Sequence, residues 1–117
     1  MSVDRFGAFH AKLRAFVAAR EWDRFHNPKN LAMALVAEAG ELAAEFQWLT
    51  PAQADALDAE KHAAVASEIA DVFIYLLELC DRLGIDPVAA AESKLAQNKI
   101  RYPVDKARGV ATKYDKL

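Results

Sequence analysis

Residues 31–49 read LAMALVAEAGELAAEFQWL, nineteen positions with three glutamates and no lysine or arginine. At about 100° per residue, Leu31, Leu42 and Leu49 project within roughly 40° of Glu38, so this stretch is a helix whose apolar seam includes that glutamate. Glu38, Glu41 and Glu45 fall within roughly 60° of one another on the same wheel. A second stretch, EIADVFIYLLELC at 68–80, repeats the arrangement: Glu68, Asp71 and Tyr75 cluster, with Val72 and Leu79 within about 40° of Glu68. Both helices carry carboxylates into their seams.

Working outward from these two helices, three of the four X-Pro junctions stand at Asn27-Pro28, Thr50-Pro51 and Asp86-Pro87. Each sets a favoured N-cap residue before a proline at the first helical position, where the missing N–H costs nothing. The spacing predicts helices over about 4–20, 28–48, 59–83 and 87–100, with a short helical turn after Pro51 and a stop at Gly84. Beyond Tyr102-Pro103 the tail is basic and weakly patterned. No strand, repeat or low-complexity segment stands out, so the fold class is all-α, a four-helix bundle.

The bulk properties fit one domain over residues 1–117, with 104–117 as a basic, flexible tail. Hydrophobic residues make up 54% of the chain, the balance of a folded globular protein. Unbroken apolar runs such as Val72–Leu77 fall far short of the roughly 20 residues a membrane span needs, and Asp4 and Arg5 interrupt any leader core. These features predict a cytoplasmic protein without a membrane partner. The single cysteine, Cys80, excludes a disulfide framework within the chain and a cysteine zinc site, and reads as a small core residue.

A net charge of −2 argues against general affinity for nucleic acid. The distribution is more telling. Residues 31–81 hold ten Asp or Glu against Lys61 alone, while the flanking segments are basic. Acids at helical spacing ordinarily form a solvated face laced with i, i+4 ion pairs. That reading fails here, because no Lys or Arg lies between Lys29 and Lys61 or between Lys61 and Arg82. Carboxylates near a core repel one another and resist ionisation unless a positive charge joins them. Oxygen ligands without Cys or His point to Mg²⁺, with Mn²⁺ as a substitute, and Mg²⁺ commonly completes its shell with substrate phosphates. A di-iron oxidase would need Glu-x-x-His on two helices, and none of His10, His26 and His62 has that spacing.

Glu38-Ala-Gly-Glu41 followed by Glu68-Ile-Ala-Asp71 resembles the acidic signature of the MazG-like all-α nucleoside triphosphate pyrophosphohydrolases. REWDRFHNPKNLAMALVAEAGELAAEFQW, EIADVFIYLLEL and NKIRYPVDKARGVATKY are each similar to segments of the dCTP pyrophosphatase branch of that family. Ala37 stands where many MazG proteins have a further Glu, which that branch also lacks, and Leu13 stands where the branch can offer a histidine. His10, one turn earlier, is the nearest substitute.

The resemblance implies a dimer of dimers that splits dCTP or a modified dCTP into a monophosphate and pyrophosphate. It implies Glu38, Glu41, Glu68 and Asp71 as Mg²⁺ ligands, with Glu45 orienting water or completing an outer shell. Trp22, Asp23, Arg24, Phe25 and His26 are implied for the base together with Trp48 and Tyr75, which lie near the acids on their own helices. Lys94, Asn98 and Arg101, at the end of the fourth helix, are candidates for the phosphates. Same-fold enzymes with another base preference are the near alternative. A non-catalytic helical oligomer binding nucleotide or a partner protein is the distant one, and the intact acidic quartet argues against it, since a scaffold gains stability by replacing such acids with apolar residues.

The helix around EIADVFIYLLELC is apolar nearly all round, more surface than one small bundle covers. Light scattering at micromolar concentration is therefore expected to give a mass above that of one chain; a purely monomeric mass would remove the expectation.

Overall fold

The computed structural model describes residues 4–117. Six α-helices follow in order: α1 (Arg5–Ala19), α2 (Pro28–Ala44), α3 (Pro51–Asp55), α4 (Ala59–Leu83), α5 (Pro87–Arg101) and α6 (Val104–Ala107). Short 3-10 turns occupy Trp22–Phe25 and Tyr114–Lys116, and no strand occurs among the described residues.

The X-Pro junctions act as their chemistry dictates. The Asn27 side chain accepts from the Asn30 N–H at 2.9 Å, opening α2. Thr50 and Gln53 exchange hydrogen bonds in a capping box that opens α3. The Asp86 carboxylate accepts from the N–H groups of Val88 and Ala89 at the start of α5. At the other end of α4, Gly84 adopts φ of 67°, the left-handed cap that glycine takes at least cost.

One boundary differs from the sequence reading. Regular α2 stops at Ala44, and residues 45–49 run on through i→i−3 bonds from Glu45 to Leu42 and Phe46 to Ala43. The chain must leave helical geometry before the Thr50-Pro51 junction, because the residue preceding a proline is excluded from it. This tightening takes Trp48 off the seam.

The chain divides into two compact units, one through Gly84 and one from Ile85. In the first, α2 packs along α4 and α1 lies against α4. Leu13 and Val17 of α1 meet Leu77 of α4 in the core, with Phe6 and Ile74 packed around them. Leu31 of α2 and Val65 of α4 are also buried. Polar contacts reinforce the α1–α4 seam: Arg14 donates to Asp81 Oδ1 through Nε and Nη2 at 3.1 and 2.9 Å, and His10 Nε2 lies 2.7 Å from the same oxygen. Phe9 stacks on Phe73 with ring centroids 6.2 Å apart. On α4, Ile69, Phe73 and Leu76 stay exposed, the apolar excess that its sequence foreshadows.

In the second unit the tail is attached to α5. The Arg101 guanidinium sits 4.7 Å over the Tyr114 ring, and Tyr102 meets that ring edge-on.

Leu77 is fully buried at the meeting point of α1 and α4. Leu77→Ala is expected to cost about 3 kcal/mol in urea unfolding, since the cavity it leaves is walled by helices that cannot collapse freely.

Candidate functional site

The pairing of α2 with α4 brings their acidic faces together. Glu38 and Glu41 of α2 and Glu68 of α4 each offer a carboxylate oxygen, all within 4.8 Å of one another. Glu38 and Glu68 are half-buried, and the Oε2 of each is shut from solvent without a hydrogen-bond partner. The electrostatics are strained accordingly. Burial, then hydrogen bonding to Glu41 and the charges of Glu41, Asp71 and Glu68, push the Glu38 carboxyl above its usual range. Burial raises Glu68 as well, followed by the charges of Glu41 and Asp71, hydrogen bonding to Glu41 and the charge of Glu45. Asp71 lies outside the trio, yet its charge reaches both of these members.

Three convergent carboxylates, two of which also carry a buried oxygen without a partner, fit a hard divalent cation: it supplies positive charge to the group and cancels the repulsion. No nitrogen or sulfur belongs to the group, which disfavours a zinc site.

Glu45 is held differently. Lys61 Nζ of α4 lies 2.9 Å from its Oε2. Counting basic residues along α2 cannot find this partner, because it arrives from the neighbouring helix.

Next to the acidic group is a cavity of about 370 Å³, walled by Phe9, Leu13, Phe16, Trp22, His26, Ile74 and Tyr75 with Lys12, Asp71 and Glu78. Asp71 thus touches the cavity and acts electrostatically on the cluster. Glu21 takes a left-handed φ of 53° between α1 and the Trp22–Phe25 turn, which brings Trp22 and His26 to the cavity wall. Trp22 then meets Phe16 edge-on at 5.6 Å and stands 6.2 Å from His26. Burial raises the Tyr75 hydroxyl, with the charges of Glu78, Glu38 and Asp71 adding, so it stays a protonated donor. A more polar cavity of about 340 Å³ shares Leu13, His26 and Glu78 with the first and adds Arg14, Val17, Asp23, Asp81 and Arg82.

The structure therefore brings Glu38, Glu41, Glu68 and Asp71 near one another, and Trp22, His26 and Tyr75 onto one cavity, with Asp23 on its neighbour. Others stand apart. Trp48 is 86% exposed and lines neither cavity, because the tightened turn after Ala44 carries it outward. Arg24 and Phe25 are exposed and stack on each other at 5.0 Å, again lining neither. Lys94, Asn98 and Arg101 belong to the second unit. There Lys94 donates to Gln97 at 3.2 Å, the Asn98 carbonyl accepts from the Tyr102 N–H, and Arg101 covers Tyr114. His10 is buried against Asp81 and Phe6 and lines neither cavity.

Glu78 and Asp81 went unread in the sequence. Glu78 follows Asp71 by seven residues and Tyr75 by three, a spacing that keeps it on their helix face. Asp81 carried no local signal, since its partners come from α1.

With this geometry in view, the chain belongs to the MazG-like family, whose family model matches residues 33–117. It is 45% identical over 104 residues to dCTP pyrophosphatase 1 of Rattus norvegicus and 42% identical over 104 residues to that of Homo sapiens. Each match covers 87% of this chain, and the chain spans 61% of the length of each of these relatives. The crystal structure of a pyrophosphatase from Archaeoglobus fulgidus superposes with a TM-score of 0.82 at 36% identity, covering 88% of this chain and 96% of that one. Among the described residues, no helix is long and apolar enough to cross a membrane.

The raised carboxyls carry a stability consequence. A group whose folded pKa lies above its unfolded value stabilises the protein below the unfolded value, about 4.3 for Glu, and that stability is lost as pH rises through the folded value. In metal-free buffer Glu68→Gln is expected to melt above the parent at neutral pH, with the gap closing below about pH 4.5. Millimolar Mg²⁺ should raise the parent alone. Calorimetric melting across pH checks this, and a gap that does not change with pH would contradict it.

Proposed function

We propose that the chain is a nucleoside triphosphate pyrophosphohydrolase acting on dCTP or a modified dCTP, releasing monophosphate and pyrophosphate. The observation that carries the reading is the convergence of Glu38, Glu41 and Glu68 across α2 and α4, with two buried oxygens unpartnered. Relatives named dCTP pyrophosphatase 1 and a structural neighbour named a pyrophosphatase support it.

In this reading Glu38, Glu41 and Glu68 hold Mg²⁺, and Asp71, which feels the same group, completes the protein's share of the shell. A bound Mg²⁺ supplies neutralisation of phosphate oxygens and acidification of a water. The chain's own residues do the rest. Glu45, fixed by its ion pair to Lys61, is placed to orient water at the edge of the carboxylate group. Trp22 and Tyr75 offer aromatic faces for the base, at small cost in side-chain entropy because few torsions must be fixed. His26 and the Tyr75 hydroxyl supply polar contacts within an otherwise apolar cavity, and burial there strengthens each hydrogen bond. The chain acts in the cytoplasm as a homo-oligomer, a tetramer by resemblance, and association covers the exposed Ile69, Phe73 and Leu76.

Incubation with Mg²⁺ and a panel of nucleoside triphosphates, followed by product separation, tests the reaction. dCTP is expected to give dCMP and pyrophosphate; orthophosphate as first product, or no turnover of any nucleotide, would overturn it. Glu38→Gln and Asp71→Asn are each expected to lower turnover by on the order of a hundredfold or more while leaving the fold intact.

A further inference from the structure

Glu78 has no task in the reaction just described. It is only 8% exposed, yet it lines both cavities, and its Oε2 is shut from solvent without a hydrogen-bond partner. His26 Nδ1 comes no closer to that oxygen than 3.8 Å, beyond hydrogen-bonding range. A buried carboxyl left in this state destabilises the fold unless something entering the cavity completes it. Removing the acid would be easier than keeping it if packing were its only role.

Its position says what it would meet. Asp71, Tyr75 and Glu78 recur at i, i+4 and i+7 on α4 and all line the cavity of about 370 Å³. From Asp71 to Glu78 the helix advances about 10 Å. Along that advance the surroundings change from the carboxylates of Glu38 and Glu68, through the aromatic walls of Trp22 and Tyr75, to the buried acid. A nucleotide has the same order of parts: phosphates, then a flat ring, then the ring's polar edge.

We propose that Glu78 is a specificity-determining residue that reads the polar edge of a nucleobase bearing an exocyclic amine, the cytosine type of edge. The proposal rests on the nucleotide reading above. The chemistry favours an amine over a carbonyl at that edge. In either protonation state a carboxyl oxygen accepts from an exocyclic N–H, whereas a ring carbonyl meets lone pairs unless the acid is protonated and turned toward it. The terminal torsion of Glu is broad, so the carboxyl can turn its buried oxygen onto the ring at little cost. Burial raises the Glu78 carboxyl, with His26 opposing and Asp81 adding.

The test is calorimetric titration of the parent, Glu78→Gln and Glu78→Leu with dCMP and with dUMP, which differ at that edge, alongside melting temperatures. The parent is expected to bind dCMP about tenfold or more tightly than dUMP. Glu78→Gln, which keeps an acceptor beside a donor, should retain dCMP binding within about threefold. Glu78→Leu should lose about tenfold for dCMP with little change for dUMP, and melt no lower than the parent. An unchanged dCMP-to-dUMP ratio in Glu78→Leu overturns the proposal. So does a loss of both ligands together with a lowered melting temperature in both variants, which marks Glu78 as structural. Binding needs no turnover, so a parent that discriminates the two monophosphates but hydrolyses no triphosphate overturns the reaction and supports the role of Glu78.

Discussion

The side-by-side packing of α2 on α4 sets a condition that the rest of the first unit must meet: it forces Glu38, Glu41 and Glu68 within 4.8 Å of one another. Burial and the repulsion of like charges at that separation push the Glu38 and Glu68 carboxyls above their usual range. Apolar packing supplies the force that holds them there. Leu31 and Leu77 are fully buried, and the latter joins α4 to Leu13 and Val17 of α1. A fold that spends burial energy on bringing acids together is set up to gain from a cation, and a cation bound there would raise stability.

The second consequence of the packing is the cavity. Once α1 is fixed on α4 by its core leucine and valine and by Arg14 and His10 on Asp81, the following turn has to fold back over the helix pair. Trp22 and His26 then face Tyr75 and Glu78 across a space about the size of a small-molecule site. Asp71 belongs to the cavity wall and to the electrostatics of the acidic group. Under the proposed function, a triphosphate bound there would have its charged end and its ring held by one helix face, and α4 would align its two halves.

How much of this was legible follows from the range of each interaction. Helix starts at Pro28, Pro51 and Pro87 and the stop at Gly84 are set by caps within three or four residues, so they are written locally. The acidic group was legible for a similar reason: helical periodicity put Glu38, Glu41, Glu68 and Asp71 on apolar faces, and the absence of nearby basic residues marked their charge as unbalanced. Trp48 illustrates the limit. It follows Glu45 by three residues, which on a continuing helix puts it near the acids, but the turn that prepares for Thr50-Pro51 intervenes and leaves it exposed.

By itself, then, the sequence determined an all-helical chain, its caps, and two faces bearing acids that could not be neutralised within their own helices. Only the tertiary structure decided which groups meet across helices. It gave Glu45 its partner Lys61, gave Asp81 its partners on α1, and left the buried Glu78 Oε2 without a hydrogen-bond partner. The physical reason is that a helix wheel fixes direction around one axis, whereas an ion pair, a cavity wall or an orphaned carboxyl depends on the distance between two axes, which packing alone sets.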